Sequence, residues 1–349
     1  MPPKISIIVI NYNGYFWLQN CLNSIYRSSY TSYEIIVVDN GSTDNSAKKI
    51  KQSFPQVTLL LLNRNFGPAY ARNVALKKTK GQYIAFFDND TRIDRQCLQK
   101  AVRTFTDDPK LGIIQCKLAL MNNPKFLDST GEYLGQNGFL VHRTEMGDRD
   151  CDSRGVNEII FSAKSAGMIV RRDVIRQAGG FDNDYFIYLE ETDLAWRVWL
   201  QGFTVKYFAA CIVLHQAGTS SLILSPDTHN YHAKFHGTKN YLLTLLKNLQ
   251  AINLIKIVPV HLTLWIGLAY FALFRRQWQT FYWIHKAVFW NIRHIGQTWE
   301  KRRIIQKQRR ICDSDLFPII MKKQPFWYYL NKIRSKPPVG LTEGFFRNQ

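Results

Sequence analysis

The sequence predicts an α/β fold in which a mostly parallel sheet is flanked by helices and followed by a helical, basic C-terminal region. Within the first 90 residues, apolar β-branched runs alternate with amphipathic stretches in the order β-α-β-α-β-α-β, the pattern of a parallel sheet covered by helices. The four runs end at Asn11, Asp39, Asn63 and Asp88, and ligands bind such sheets at the carboxyl ends of the strands. The last third drops this alternation for long apolar and aromatic stretches, then for Lys and Arg.

Ile5–Asn11 is an apolar run long enough for a buried strand. Gly14–Ser28 sets Phe16, Leu18, Cys21, Leu22 and Ile25 at mostly helical spacing. Glu34–Asp39 is a second buried strand, and Gly41-Ser42-Thr43-Asp44 signals a turn and an N-cap, with a helix to about Phe54. Val57–Leu62 is a third strand. Pro68 opens a helix that runs to about Thr79 and stops at Gly81. Tyr83–Phe87 is a fourth strand, ending in Asp88-Asn89-Asp90. From about Asp94 to Ser221 the pattern is mixed. Val156–Val170 reads as strand material broken at Gly167, and Arg171–Ala178 as a short helix ended by Gly179-Gly180. Leu189–Gln201 is an amphipathic helix with Glu190, Glu191 and Asp193 in its first turn, where the helix dipole favours acids. Val205–Leu214 is strand-like and ends at His215, and Tyr241–Leu249 is helical and apolar.

Composition narrows the function. With 46% hydrophobic and 14% aromatic residues, the chain of 349 residues is neither disordered nor collagen-like, and it has length enough for a sizeable core. Its 6 cysteines lie far apart without a C-x-x-C pair, which speaks against structural zinc or a disulfide framework and suits a reducing cytoplasm. The start enters Ile5-Ser6-Ile7 without a basic lead-in, so no signal peptide is expected. No G-x-G-x-x-G or P-loop pattern supports hydride transfer or P-loop phosphate cleavage. The net charge is +20, and from Arg275 onward 16 Lys and Arg face only 4 Asp and Glu. Such a tail suits nucleic acid, an anionic membrane surface or a solvated face.

Several residues could carry chemistry. Asp88 and Asp90, one residue apart at a strand end, can reach one divalent cation; oxygen ligands suit Mg²⁺ or Mn²⁺, although turns also favour acids. Asp39 can accept hydrogen bonds from a base or a ribose, or simply cap the next helix. Arg72 could face a phosphate. Glu190 and Glu191 follow the aromatic run Tyr185-Phe186-x-Tyr188. A carboxylate beside apolar rings, with Asp193 as a like charge, would have a raised pKa suited to a general base. His215 would complete a mixed O/N ligand set with Asp88 and Asp90.

Taken in order, ISIIVINYN (Ile5–Asn13), EIIVVDNGSTD (Glu34–Asp44), NFGPAYARN (Asn65–Asn73), GQYIAFFDNDT (Gly81–Thr91), SAGMIVRR (Ser165–Arg172), GGFDNDYFIYLEETDLAWR (Gly179–Arg197) and VLHQAGTSS (Val213–Ser221) resemble the inverting family 2 glycosyltransferases of GT-A fold. The likeness is nearest to their rhamnosyltransferase-like branch and spans roughly residues 4–221. It implies a GT-A type, Rossmann-like sheet. Tyr12 and Asp39 match positions that hold the nucleotide base, and Arg72 one near the donor phosphates. Asp88 and Asp90 match the metal-binding D-x-D, with Asp88 also at the nucleotide sugar, and His215 matches a further metal contact. Glu191 falls where the family has its catalytic Asp, with Glu190 beside it. Glu is one methylene longer than Asp, so Glu190 is the second candidate for the base.

The implied enzyme is a metal-dependent hexosyltransferase. It uses Mg²⁺ or Mn²⁺ and moves a sugar with inversion from a nucleoside-diphosphate sugar, with dTDP-rhamnose as the leaning, to a glycan or polyprenyl-linked acceptor of the cell envelope. Residues 1–240 would form the catalytic domain (1–92 the nucleotide-binding half, 93–240 the acceptor half) and residues 241–349 a membrane-associating region on the cytoplasmic face. The 18 residues between Lys256 and Arg275 lack Lys, Arg, Asp and Glu, and as a helix would measure about 27 Å, near the thickness of the hydrocarbon core. A single span would strand the basic tail on the wrong side. A hairpin of two spans over 257–292 or an interfacial helix pair both avoid this; Pro259, His261, Lys286 and the aromatics favour the interface. Two competing readings are a sugar-nucleotide nucleotidyltransferase and a basic nucleic-acid-binding protein. Asn11-Tyr12-Asn13-Gly14 stands where the first needs a Gly- and Arg-rich loop, and the acidic clusters repel the phosphates the second must bind, so no nucleic-acid partner is expected.

Overall fold

The four apolar runs of the first 90 residues form strands β1 (Ile5–Asn11), β2 (Tyr33–Asp39), β3 (Thr58–Leu61) and β4 (Tyr83–Asp88). They pair in parallel in the order β4-β1-β2-β3, joined by helices α1 (Tyr15–Tyr26), α2 (Ser46–Ser53) and α3 (Pro68–Leu76). The computed structural model describes residues 4–151, 157–216, 231–325 and 328. Val156, residues 217–221 of the last motif and most of the chain beyond 325 therefore lie outside the described residues.

Alternation along these strands feeds two cores. Ile7 and Val9 of β1 and Ile35 and Val37 of β2 face one side, where Leu18, Leu22 and Ile25 of α1 cover them. Ile8, Ile36 and Val38 face the other, where Ala71 and Ala75 of α3 lie. Small residues on α3 let its backbone approach the sheet closely. Each fully buried Ile, Val or Leu contributes about 1.5–3 kcal/mol relative to its exposed state.

The middle of the chain extends the sheet. After β5 (Thr91–Ile93) and α4 (Cys97–Asp107) comes β6 (Leu111–Leu120), a wholly buried strand of 10 residues. The short strands β7 (Leu127–Ser129), β8 (Glu132–Gly135), β9 (Leu140–His142) and β10 (Asn157–Ile159) follow. Then come β11 (Gly167–Arg171), α5 (Arg172–Gln177), α6 (Glu190–Leu200) and β12 (Thr204–His215). Strand β11 inserts antiparallel between β4 and β6, while β12 runs parallel to β6. Gly167 therefore starts a strand rather than interrupting one. A Cβ there would meet Leu118 Cδ2 at 2.6 Å, so glycine lets β11 lie close to β6.

The last third is helical: α7 (Gly237–Asn248), α8 (Ala251–Phe274), α9 (Trp278–Arg293), α10 (Ile295–Gln308) and α11 (Asp313–Ile320), then β13 (Met321–Lys322). These elements pack on the sheet domain. Lys247 of α7 reaches Asp182 at 2.6 Å and Asp193 at 2.9 Å, and β13 pairs with β8. His261 of α8 bonds through Nδ1 to the Asn137 carbonyl at 2.9 Å. Part of the basic run 301–310 is spent inside the protein. Lys301 binds Asp182 and Asp184, Arg302 donates to the Leu246 carbonyl, and Arg309 binds Asp313.

Candidate active site

Strand ends assemble a corner of two carboxylates and an imidazole. Asp88 closes β4 and Asp90 follows two residues later, in a turn that Thr91 tightens by donating to the Asp88 carbonyl at 2.8 Å. His215 closes β12, where register pairs it with Leu120 of β6 and Thr91 of β5. That register brings His215 Nε2 to 3.3 Å from Asp90 Oδ1. The other ring nitrogen, Nδ1, lies 2.9 Å from Asp128 Oδ2. Burial works against a charged imidazole, but Asp90 and Asp128 outweigh it and hold His215 well above the usual histidine range. Ligand atoms of Asp88, Asp90 and His215 all lie within 4.8 Å of one another. Two carboxylate oxygens and one imidazole nitrogen so grouped are a donor set that suits Mg²⁺ or Mn²⁺.

Arg72 sits between this corner and helix α6. It is buried, donates to Glu190 Oε1 at 2.7 Å and reaches Asp88 Oδ1 at 3.4 Å. It thus ties the D-x-D corner to the N-terminus of α6. A buried guanidinium between two carboxylates is charge-compensated within the fold, and at 3.4 Å from Asp88 it stands beside the D-x-D turn. Glu191 lies next to this bracket, partly exposed, with Oε2 buried and without a hydrogen-bond partner among the described residues. Burial first, then the Glu190 charge, push its carboxyl well above the ordinary range, against the pull of Arg72. Asp193 does not supply the like charge expected of it. It is fully buried on Arg197 (2.8 Å), Lys247 (2.9 Å) and Asn248 (2.9 Å).

The turn into α6 is unusual. Tyr188 and Leu189 both have left-handed backbone, at φ 71° and 65°, which non-glycine residues adopt at a cost of about 1–3 kcal/mol each. Asn240 of α7 holds the turn by donating to the carbonyls of Ile187 (2.8 Å) and Tyr188 (2.7 Å). Gly67, at the head of α3, packs on the same segment; a Cβ there would lie 2.2 Å from the Phe186 carbonyl oxygen. Sequence reasoning did not find Asn240, because an Asn inside an apolar helix carries no local signal.

At the other end of the sheet edge, Asp39 is buried. Its Oδ2 accepts from Asn11 Nδ2 at 3.1 Å and its Oδ1 from the Ser42 amide at 2.9 Å. Asn89 donates to Asn11 Oδ1 at 3.1 Å, which links this end to the D-x-D turn. Tyr12, partly exposed, leaves β1 between Asn11 and Asn13, whose amide donates to Ser42 Oγ at 2.9 Å. Asp39→Ala should weaken nucleotide binding at least tenfold while slowing the chemical step less, as equilibrium binding and single-turnover rates would show. Unchanged affinity would remove Asp39 from the nucleotide site.

A mostly parallel sheet covered on both faces, with an acidic and imidazole corner at its strand ends and an acid pair opening the facing helix, defines a nucleotide-sugar-dependent transferase of GT-A type. The chain matches the model described as glycosyl transferase family 2 over residues 6–153 and that of glycosyl transferase family group 2 over residues 83–330. It belongs to glycosyltransferase family 2, whose members are inverting hexosyltransferases, and it takes its sugar from a nucleotide-sugar donor. The matches are to the family as a whole and assign no branch within it; the nucleotidyltransferase and nucleic-acid-binder readings give way to this class. An uncharacterised glycosyltransferase of Nostoc sp. is 25% identical over 245 residues, 68% of this chain and 67% of that protein. The poly-beta-1,6-N-acetyl-D-glucosamine synthase of Staphylococcus aureus is 25% identical over 60% of this chain, which spans only 50% of that relative. Among solved structures, the mannosyltransferase PcManGT of Pyrobaculum calidifontis, in complex with GDP-Man and Mn²⁺, superposes with a TM-score of 0.52 at 15% identity, covering 88% of this chain and 86% of that one. GalNAc-T7 with UDP, GalNAc and Mn²⁺ gives 0.51 at 13% identity, covering 70% and 51%. At these identities the likeness shows the fold.

Proposed function

We propose that the protein transfers a hexose from a nucleoside-diphosphate sugar to a hydroxyl of a polyprenyl-linked or cell-envelope glycan, with Glu191 as the base, while resting on the cytoplasmic face of an anionic membrane. The observation that carries the reading is the buried Oε2 of Glu191, without a hydrogen-bond partner among the described residues, beside the Arg72 bracket that leads to Asp88. Asp39, with Tyr12, would hold the nucleotide. Asp88, Asp90 and His215 would hold Mg²⁺ or Mn²⁺, which supplies charge neutralisation for a diphosphate leaving group. Glu191 takes the proton of the acceptor hydroxyl as its oxygen bonds to the anomeric carbon. The bond from that carbon to the diphosphate oxygen breaks, and the electron pair leaves with the diphosphate, so configuration inverts in one step. A panel of UDP-, dTDP- and GDP-sugars with Mg²⁺ or Mn²⁺ tests this reading, with dTDP-rhamnose first because the motif likeness leans to it. One nucleotide sugar should be consumed with metal and none in excess chelator; no consumption of any would contradict the reading.

Surface chemistry supports the membrane. Helix α8 is the one described helix long and apolar enough to cross a bilayer, yet it packs one face, Ile257, His261, Trp265, Ala269 and Ala272, on the protein. Its other face exposes Ile252, Ile255, Phe271 and Phe274, and α9 continues it with exposed Trp278 and Tyr282. Exposed cations Lys256, Arg275, Arg276 and Lys286 flank these side chains. A helix packed along one face and greasy along the other suits the interface. Each cation near an anionic surface adds about 1 kcal/mol, so Arg275→Ala with Arg276→Ala should weaken vesicle binding about thirtyfold. Co-sedimentation of the full chain with anionic vesicles measures it; indifference of the unmodified protein to vesicles would refute attachment. Lys301→Ala should act on stability instead, since Lys301 is engaged by Asp182 and Asp184.

A further inference from the structure

Asp128 has no part in the family motifs, yet the fold goes to some length to aim it. It lies on β7, whose register against β6 runs Leu118 to Ser129 and then Ala119 to Leu127. Asp128 is therefore the extra residue of a β-bulge. Bulges re-aim a side chain that regular pairing would direct elsewhere. The bulge sends the Asp128 carboxylate to His215, with Oδ2 2.9 Å from Nδ1, and both side chains are largely buried. On its other side the same imidazole turns Nε2 to Asp90 at 3.3 Å. His215 itself has little freedom, because β12 is paired with β6 and β5 through that residue.

We propose that Asp128 is a positioning residue for the metal corner: its carboxylate accepts a hydrogen bond from Nδ1–H of His215, fixes the tautomer that leaves the Nε2 lone pair on the Asp90 side, and so sets the affinity for a divalent cation. The proposal rests on the metal reading of Asp88, Asp90 and His215. Its chemistry is general. An imidazole that binds metal through one nitrogen donates from the other, and the carboxylate that accepts this hydrogen bond fixes ring orientation and raises ligand basicity. Without Asp128 the neutral ring can carry its proton on Nε2, where it blocks the metal.

Mn²⁺ alone, titrated into the full-length protein and followed by the electron paramagnetic resonance of free Mn²⁺, is the direct test. Asp128→Ala should weaken binding by about 10–100-fold, and Asp128→Asn, whose amide oxygen still accepts from Nδ1–H, should recover part of that loss. Nitrogen NMR of His215 in the metal-free protein, at a pH where the ring is neutral, should show the proton on Nδ1, and Asp128→Ala should lose that signature while its thermal melt stays cooperative. A merely structural Asp128 would change the melt and leave the tautomer alone. Asp90→Asn serves as the control that a metal site exists. If Asp90→Asn loses Mn²⁺ while Asp128→Ala binds it like the unmodified protein, the positioning role is overturned and the metal reading stands. If neither substitution alters binding, the metal corner itself falls, and the role of Asp128 with it.

Discussion

Glu191→Gln should lower transfer at least a hundredfold while the nucleotide sugar still binds. Gln keeps the shape of the side chain and loses only its basicity, and a positioned general base contributes typically 10²–10⁴-fold. The variant should fold at least as well as the parent. A carboxyl held above its ordinary range disfavours ionisation in the folded state, so an uncharged replacement relieves that cost at neutral pH. Glu190→Gln should behave differently. It removes the charge of the 2.7 Å partner of a buried guanidinium, and breaking such an ion pair costs up to about 3–5 kcal/mol, so its first effect is on stability. Thermal melts and single-turnover transfer together separate the two glutamates. A soluble, well-folded Glu190→Gln that loses transfer while Glu191→Gln keeps it would exchange their roles.

Asp90→Asn should cut turnover at least tenfold, and a chelator in excess should do the same to the parent protein. The substitution turns a charged group into a neutral one in a corner where, among the described residues, three side chains group to hold a cation, and hard divalent cations depend on that charge. Loss should be recoverable in part by raising Mn²⁺, since the remaining carboxylate and imidazole persist. Full activity in chelator would show that Asp88, Asp90 and His215 serve as a turn and nothing more.

How much of this was legible depends on where the physics is local. Strands β1, β2 and β4 are visible because a strand buried on both faces must be an unbroken apolar run. Strand β6 is just as buried but is interrupted by Gln115 and Lys117. Both are satisfied only in the fold, Gln115 by the carbonyls of Cys116 (2.7 Å) and Gly167 (3.4 Å) and Lys117 by Asp150 (2.8 Å). The run therefore reads as ambiguous. The D-x-D, the acid pair and His215 stand at element ends that sequence marks, so their grouping could be expected. The partners of Arg72, the clamp of Asn240 on the turn before α6 and the bulge that aims Asp128 are products of long-range packing and have no local sign. Cys97, Cys116 and Cys211 show the same limit. No spacing pairs them, yet α4, β6 and β12 bring their sulfurs within 4.8 Å in the core.

The role of Glu191 meets its most direct test in the pH dependence of single-turnover transfer at saturating donor. A base must be ionised to act, so the rate should climb as pH rises and level off above the carboxyl's raised pKa, well beyond the ordinary glutamate value of about 4.3. In Glu191→Gln that limb should vanish and leave a low, flat rate. The same rising limb in Glu191→Gln, at the same pH and with comparable amplitude, would assign the proton to another group and contradict the mechanism.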